Sequence, residues 1–137
     1  MAGLIVLKAS VAIAALSVYD VHHPAASAAL ASIQEGDEPV LAATTRIEIL
    51  VGPQRAGGSA LQSASDFLSG CATIPVTAAL ADAAAVLKAG HAALSVPGAV
   101  ALAVADAISA DSVWAFDHRW TGVDPRVTIP TGGSLGN

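Results

Sequence analysis

Short apolar runs recur along the chain at Leu4–Leu7, Val40–Ala42, Ala72–Val76 and Ser112–Phe116, and most of what separates them is alanine-rich and of helix length. A strand followed by a helix and then another strand leaves neighbouring strands parallel, because the helix carries the chain back to the starting end. Strands buried on both faces read as continuous apolar runs rather than as an alternation. The pattern therefore predicts a central parallel sheet of four to five strands covered by helices on both sides, a three-layer α/β/α domain. Arg126–Ile129 supplies the fifth candidate strand.

With 137 residues, one core accommodates the whole chain. Residues 1–130 are expected to form a single domain, and the glycine-rich stretch 131–137 a loose tail. Hydrophobic residues make up 54% and charged residues 12%, so some surface is expected to be covered by a partner. The uncharged run from Ala89 to Ala105 contains His91 and Pro97 and is shorter than the roughly 20 apolar residues of a spanning helix. Lys8 interrupts what would be the apolar core of a leader peptide. A net charge of −5 argues against a general polyanion binder and leaves only local basic contacts to RNA. The single cysteine, Cys71, has no internal disulfide partner and suits a reducing cytoplasm. No zinc-type ligand spacing is present.

Residues 10–17 read as a helix, and Asp20–Pro24 breaks it and opens another that runs to about Gln34. Glu35–Pro39 reads as a polar turn. Thr45 and Glu48 match the S/T-x-x-E capping pattern of a helix that Gly52 and Pro53 end. The glycine-rich loop 52–58 leads to an amphipathic segment at 59–69, Thr77 caps a helix to about Ala89, and Pro97 starts one to about Ser109. In a parallel sheet of this kind the ligand crevice lies beyond the carboxyl ends of the strands. Lys8, the segment Thr44–Glu48 and Asp117 arrive there, and the segment His91–Gly98 leads into a helix start facing the same place.

The order of LIVLKAS, DVHHP, TTRIEILVGPQR, AAAVLKAGHAALSVPGAVALAVADA and SVWAFDHRW resembles the PIN-domain ribonucleases, and within them the VapC-type toxins of toxin-antitoxin modules, over nearly the full length. The resemblance implies a magnesium-dependent endoribonuclease with four carboxylates in the crevice. Those positions hold Lys8, Glu48, Gly98 and Asp117. Glu48 and Asp117 are thus the implied catalytic and metal-binding residues, while Lys8 and Gly98 replace two ligands. Ala115 also stands where the family often has a hydroxyl residue. Magnesium takes hard oxygen ligands in near-octahedral geometry. Lys8, Glu48 and Asp117 sum to one negative charge where four carboxylates carry four, so Mg2+ binding is expected to be impaired. Lys8 is expected to bridge Glu48 and Asp117 in place of the metal.

The expected molecule is a cytoplasmic VapC-type homologue with weak or no nuclease activity. Its implied partners are a cognate VapB-type antitoxin, RNA of the tRNA or rRNA class and a second copy in a homodimer, with no membrane. Two alternatives are a non-catalytic antitoxin-binding decoy or regulator and a decayed gene product. Arg46, Arg55 and Arg119 flank the crevice and are the candidate RNA phosphate contacts. Simpler roles stand beside these. Glu48 could complete a capping box and Asp117 could cap the turn DHRW; Ser10 could orient a metal-bound water or just begin its helix, and Thr44 and Thr45 could point hydroxyls into the crevice or serve as caps. His22 and His23 are adjacent, the wrong spacing for a helical metal pair. Trp114 reads as core, and Trp120 as a surface for a base or a neighbouring chain. Gly98 weakens the first turn of its helix with no local gain.

Overall fold

The computed structural model describes residues 3–131. In chain order the elements are β1 (Leu4–Leu7), α1 (Ala9–Leu16), α2 (His23–Ala31), β2 (Glu38–Ala42), α3 (Ala43–Ala56), α4 (Gly58–Ser69), β3 (Ala72–Ile74), α5 (Ala78–Gly90), α6 (Val96–Ala107), β4 (Ser112–Trp114), a short 3-10 helix (His118–Gly122) and β5 (Val127–Thr128). The sheet has the order β3-β2-β1-β4-β5, and every pairing in it is parallel. Among the described residues six α-helices flank it, in the three-layer α/β/α arrangement that the apolar runs predict.

Alternation along the strands divides the core. Val6, Val40, Ala42, Val113 and Ala115 pack with the buried residues of α5 and α6. Leu41 packs with Ala9 and Ala12 of α1, Ile49 of α3 and Leu68 of α4. Every residue of α6 from Gly98 to Ala105 is buried, which explains the long uncharged run in the sequence. A helix apolar all round belongs inside, and alanine at 99, 101, 103 and 105 lets it lie close to the sheet and to α5. Among the described residues no helix is long and apolar enough to cross a membrane.

Three local expectations are corrected. β2 begins at Glu38, with Pro39 opposite Ile5 of β1, so the polar turn is shorter than its composition suggests. α3 leaves β2 without a loop and takes Ala42 as its N-cap with no side-chain cap, which places Thr45 inside the first turn, 1% exposed, rather than at the head of a capping box. The dipeptide Gly52-Pro53 does not end α3. Proline removes only the hydrogen bond to the Ile49 carbonyl, and the helix continues to Gly57, where φ of 68° breaks it. A single residue thus separates α3 from α4, where the sequence suggests a loop. The proposed tail largely falls on residues 132–137, which lie outside the described residues.

Thr77 does cap α5, its hydroxyl accepting from the Leu80 amide at 3.2 Å. Thr77→Ala is expected to lower stability by about 1 kcal/mol. Thermal unfolding followed by circular dichroism checks this, and an unchanged midpoint would show that the cap contributes nothing.

Candidate functional site

The strand order turns back at β1, whose neighbours are β2 on one side and β4 on the other. The carboxyl ends of these strands form the crevice expected at such a switch point. Lys8 leaves β1 as the N-cap residue of α1, in extended conformation, and its amide donates to the Trp114 carbonyl of β4 at 3.0 Å. That bond fixes where its side chain starts. The side chain is half-buried, and Nζ lies 4.9 Å from the ring centroid of Trp120, within cation–π range.

Lys8 does not bridge the two carboxylates. Among the described residues, the only ion pairs are Arg119–Asp117, Arg126–Asp106 and Arg126–Asp124. Asp117 is held by its own turn. It accepts from the Arg119 amide at 2.9 Å, from Nε at 3.0 Å and from Nη2 at 2.7 Å. These bonds, led by the guanidinium fork, hold the Asp117 carboxyl down at about 2, with Lys8 adding a small push in the same direction. An arginine two residues away on the same turn reaches Asp117 without crossing the crevice, while the ammonium of Lys8 lies on the indole face. Glu48 is half-buried on α3 and belongs to no ion pair among the described residues.

Gly98 lies in the first turn of α6, its amide donating to the N-cap hydroxyl of Ser95 at 3.0 Å. A Cβ added there would sit 2.9 Å from Trp120 Cη2 and closer still to Cζ2. Trp120 is 2% exposed and belongs to the core cluster of α5 and α6. It is therefore unavailable to stack on a base or a neighbouring chain. The glycine that brings no local gain to α6 makes room for this indole.

The other residues that the sequence singles out are placed as follows. The hydroxyls of Ser10 and Thr44 are buried without a hydrogen-bond partner, next to the ends of β1 and β2. Arg46 donates to the Thr73 hydroxyl at 3.2 Å, Arg55 is exposed in the last turn of α3, and the guanidinium of Arg119 is engaged with Asp117. His22 stacks on Phe116 at 4.2 Å, and His23 Nδ1 lies 2.8 Å from the Ala14 carbonyl, so both imidazoles serve the α1–α2 junction. Cys71 is half-buried, and burial pushes its thiol pKa up.

A hard divalent cation needs several oxygen donors converging on one point. Among the described residues, no three His, Cys, Asp or Glu side chains are so gathered. The carboxylates at the crevice are Glu48 and an Asp117 already paired with a guanidinium, and the third residue there, Lys8, brings an ammonium of the wrong sign. That set does not fit Mg2+.

The sequence matches the PIN domain family over residues 5–124, most of its length, and the chain belongs to that family. No curated protein matches it significantly. Several solved structures share its fold. VapC20 of Mycobacterium tuberculosis, described as a toxin that cleaves the sarcin-ricin loop, superposes with a TM-score of 0.74 at 21% identity, covering 86% of this chain and 93% of that one. A toxin-antitoxin complex from Klebsiella pneumoniae gives a TM-score of 0.77 at 19% identity, covering 93% and 98%. VapBC2 of Rickettsia felis, bound to a promoter DNA fragment, gives 0.69 at 14% identity, covering 92% and 96%.

Proposed function

We propose that this chain is a VapC-type toxin homologue that binds a VapB-type antitoxin in the cytoplasm and cleaves RNA weakly or not at all. The observation that supports the loss of nuclease activity is the state of Asp117, whose carboxylate is matched by the Arg119 fork. With Lys8 and Gly98 at the remaining positions, Glu48 is the single carboxylate there with no cationic partner. A lone carboxylate cannot both hold a cation and orient the water that attacks a phosphodiester.

An uncovered apolar groove supports the antitoxin reading. It measures about 360 Å3 and is lined by Ile13, Leu16, Tyr19, Ile49, Pro53 and Ala60 from the α1 end and from α3 and α4. In its wall Val18 is 69% and Tyr19 95% exposed, and Val21 nearby in sequence is 85% exposed. Apolar surface gathered in this way marks a protein contact more often than a solvated face. The alanine-rich helices α1, α2 and α5 leave further surface for a homodimer. Arg55, exposed on α3, is the best remaining contact for RNA phosphate, since Arg46 and Arg119 already have partners.

Two measurements test the reading. Cleavage of tRNA and rRNA by the purified chain with Mg2+ or Mn2+ is expected to stay at or close to the no-enzyme background, with Glu48→Ala and Asp117→Ala changing it little. Robust metal-dependent cleavage, lost in either variant, would make both residues catalytic and end the proposal of impaired activity. Co-purification with the protein encoded beside it is expected to yield a stable complex that Tyr19→Ala weakens by about tenfold or more, as for a central aromatic anchor. Failure to form that complex would favour a decayed gene product over an antitoxin binder.

A further inference from the structure

The disagreement between the crevice and a divalent cation has a steric cause as well as an electrostatic one. The indole of Trp120 comes from the 3-10 helix after β4 and lies against the first turn of α6, with its outer ring in the volume that a side chain at position 98 would need. The face of the ring also meets Lys8 Nζ, 4.9 Å from its centroid. The two positions without a carboxylate thus contact the same side chain. Their replacements suit that contact: glycine is the only residue that leaves room for the ring, and an ammonium is attracted by its face. An aspartate at position 8 would instead set a negative charge against the electron-rich face.

We infer that Trp120, seated on Gly98 and covered by Lys8, is the residue that closes this crevice to divalent cations, so that the three side chains form one interdependent plug. This deepens the proposal of lost nuclease activity and rests on it for its biological meaning, while the plug itself is a packing claim tested without RNA or antitoxin. Restoring carboxylates at positions 8 and 98 is then insufficient while the indole stays in place. The ring must shrink too.

Phenylalanine is the suitable smaller residue, because it keeps an aromatic ring in the core and lacks the Cζ2 and Cη2 atoms that meet position 98. The experiment compares the full chain with Gly98→Asp, Trp120→Phe, the two together, Lys8→Asp/Gly98→Asp, and the triple Lys8→Asp/Gly98→Asp/Trp120→Phe. Melting temperatures are recorded, and Mn2+ is titrated calorimetrically. Gly98→Asp alone should melt well below the parent, and adding Trp120→Phe should recover at least half of that loss. Mn2+ binding should appear in the triple variant and be about 10-fold to 100-fold weaker or absent in Lys8→Asp/Gly98→Asp, the range by which disturbed ligands weaken metal sites. The plug is refuted if Gly98→Asp melts with the parent or if Trp120→Phe recovers none of its loss. It is refuted equally if Lys8→Asp/Gly98→Asp binds Mn2+ as tightly as the triple variant, or if the folded triple variant binds none. An antitoxin that fails to bind the parent chain would leave all these readings unchanged.

Discussion

Arg126→Ala should lower the unfolding free energy at pH 7 by about 2–3 kcal/mol, a large share of the roughly 5–15 kcal/mol of a typical domain. The guanidinium ties β5 to the far end of α6. It donates to the Ala105 carbonyl at 2.9 Å, to Asp106 at 2.9 Å, and to both oxygens of Asp124 at 3.0 and 2.7 Å. Its side chain is 23% and that of Asp124 14% exposed, so truncation leaves a poorly solvated carboxylate without its counter-charge. The estimate sits below the full value for a buried pair for two reasons. The amide of residue 126 still donates to Asp124, and the Ala105 carbonyl keeps its bond from the Ala110 amide.

The sign of the pH dependence follows from Asp124. The Arg126 fork holds its carboxyl below the ordinary 3.8. A depressed carboxylate contributes stability above its unfolded pKa and loses it as pH falls through the folded value. The gap between parent and Arg126→Ala should therefore be constant from pH 7 to about 5 and narrow below about 4. Urea unfolding at pH 7 and pH 3 measures it. A difference under about 0.5 kcal/mol at pH 7, the size of an ordinary surface substitution, would mean that the network is only a surface ornament.

How far the sequence reveals the fold depends on whether the cause is local. The runs LIVL, VLA and SVW are legible as strands because branched apolar residues bounded by breaks have few other uses, and three layers follow from their alternation with helices. The end of α3 is not legible. Gly52-Pro53 looks like a stop, yet the helix runs one turn further to Ala56 and ends only at Gly57, whose φ of 68° leaves the helical region. The turn at Asp117 is half legible: its acceptance of the Arg119 amide is a local pattern, whereas the bidentate fork depends on a rotamer. The contact between Gly98 and Trp120 is invisible, because nothing in either neighbourhood records that the two meet. A glycine directly after proline in the first turn of an otherwise alanine-rich helix was the available signal, and only the fold says what it makes room for.

Trp120→Ala should have the largest effect of any single truncation at the site, about 3–5 kcal/mol, corresponding to roughly 10–20 °C in the melting midpoint of a chain this size. The indole is 2% exposed and packs within the core shared by β1, β2, β4, α5 and α6, so its removal leaves a cavity lined by residues that cannot follow it. Gly98 offers no side chain to fill the space, and Lys8 loses the face that holds its ammonium. Trp114 provides the internal comparison. It packs against the small cluster of Val11, Ala14 and Ala26 on the opposite side of the sheet and is only partly buried. Trp114→Ala should accordingly cost less, because part of its ring already meets solvent and less cavity is created. Thermal and urea unfolding of the two variants decide the ranking. If Trp120→Ala melted within a degree or two of the parent, the indole would be a loosely held surface group free to meet a base or another chain, and the core described for this side of the sheet would be wrong. If Trp114→Ala proved the more damaging, the weight of the core would lie under α1 and α2, away from the crevice.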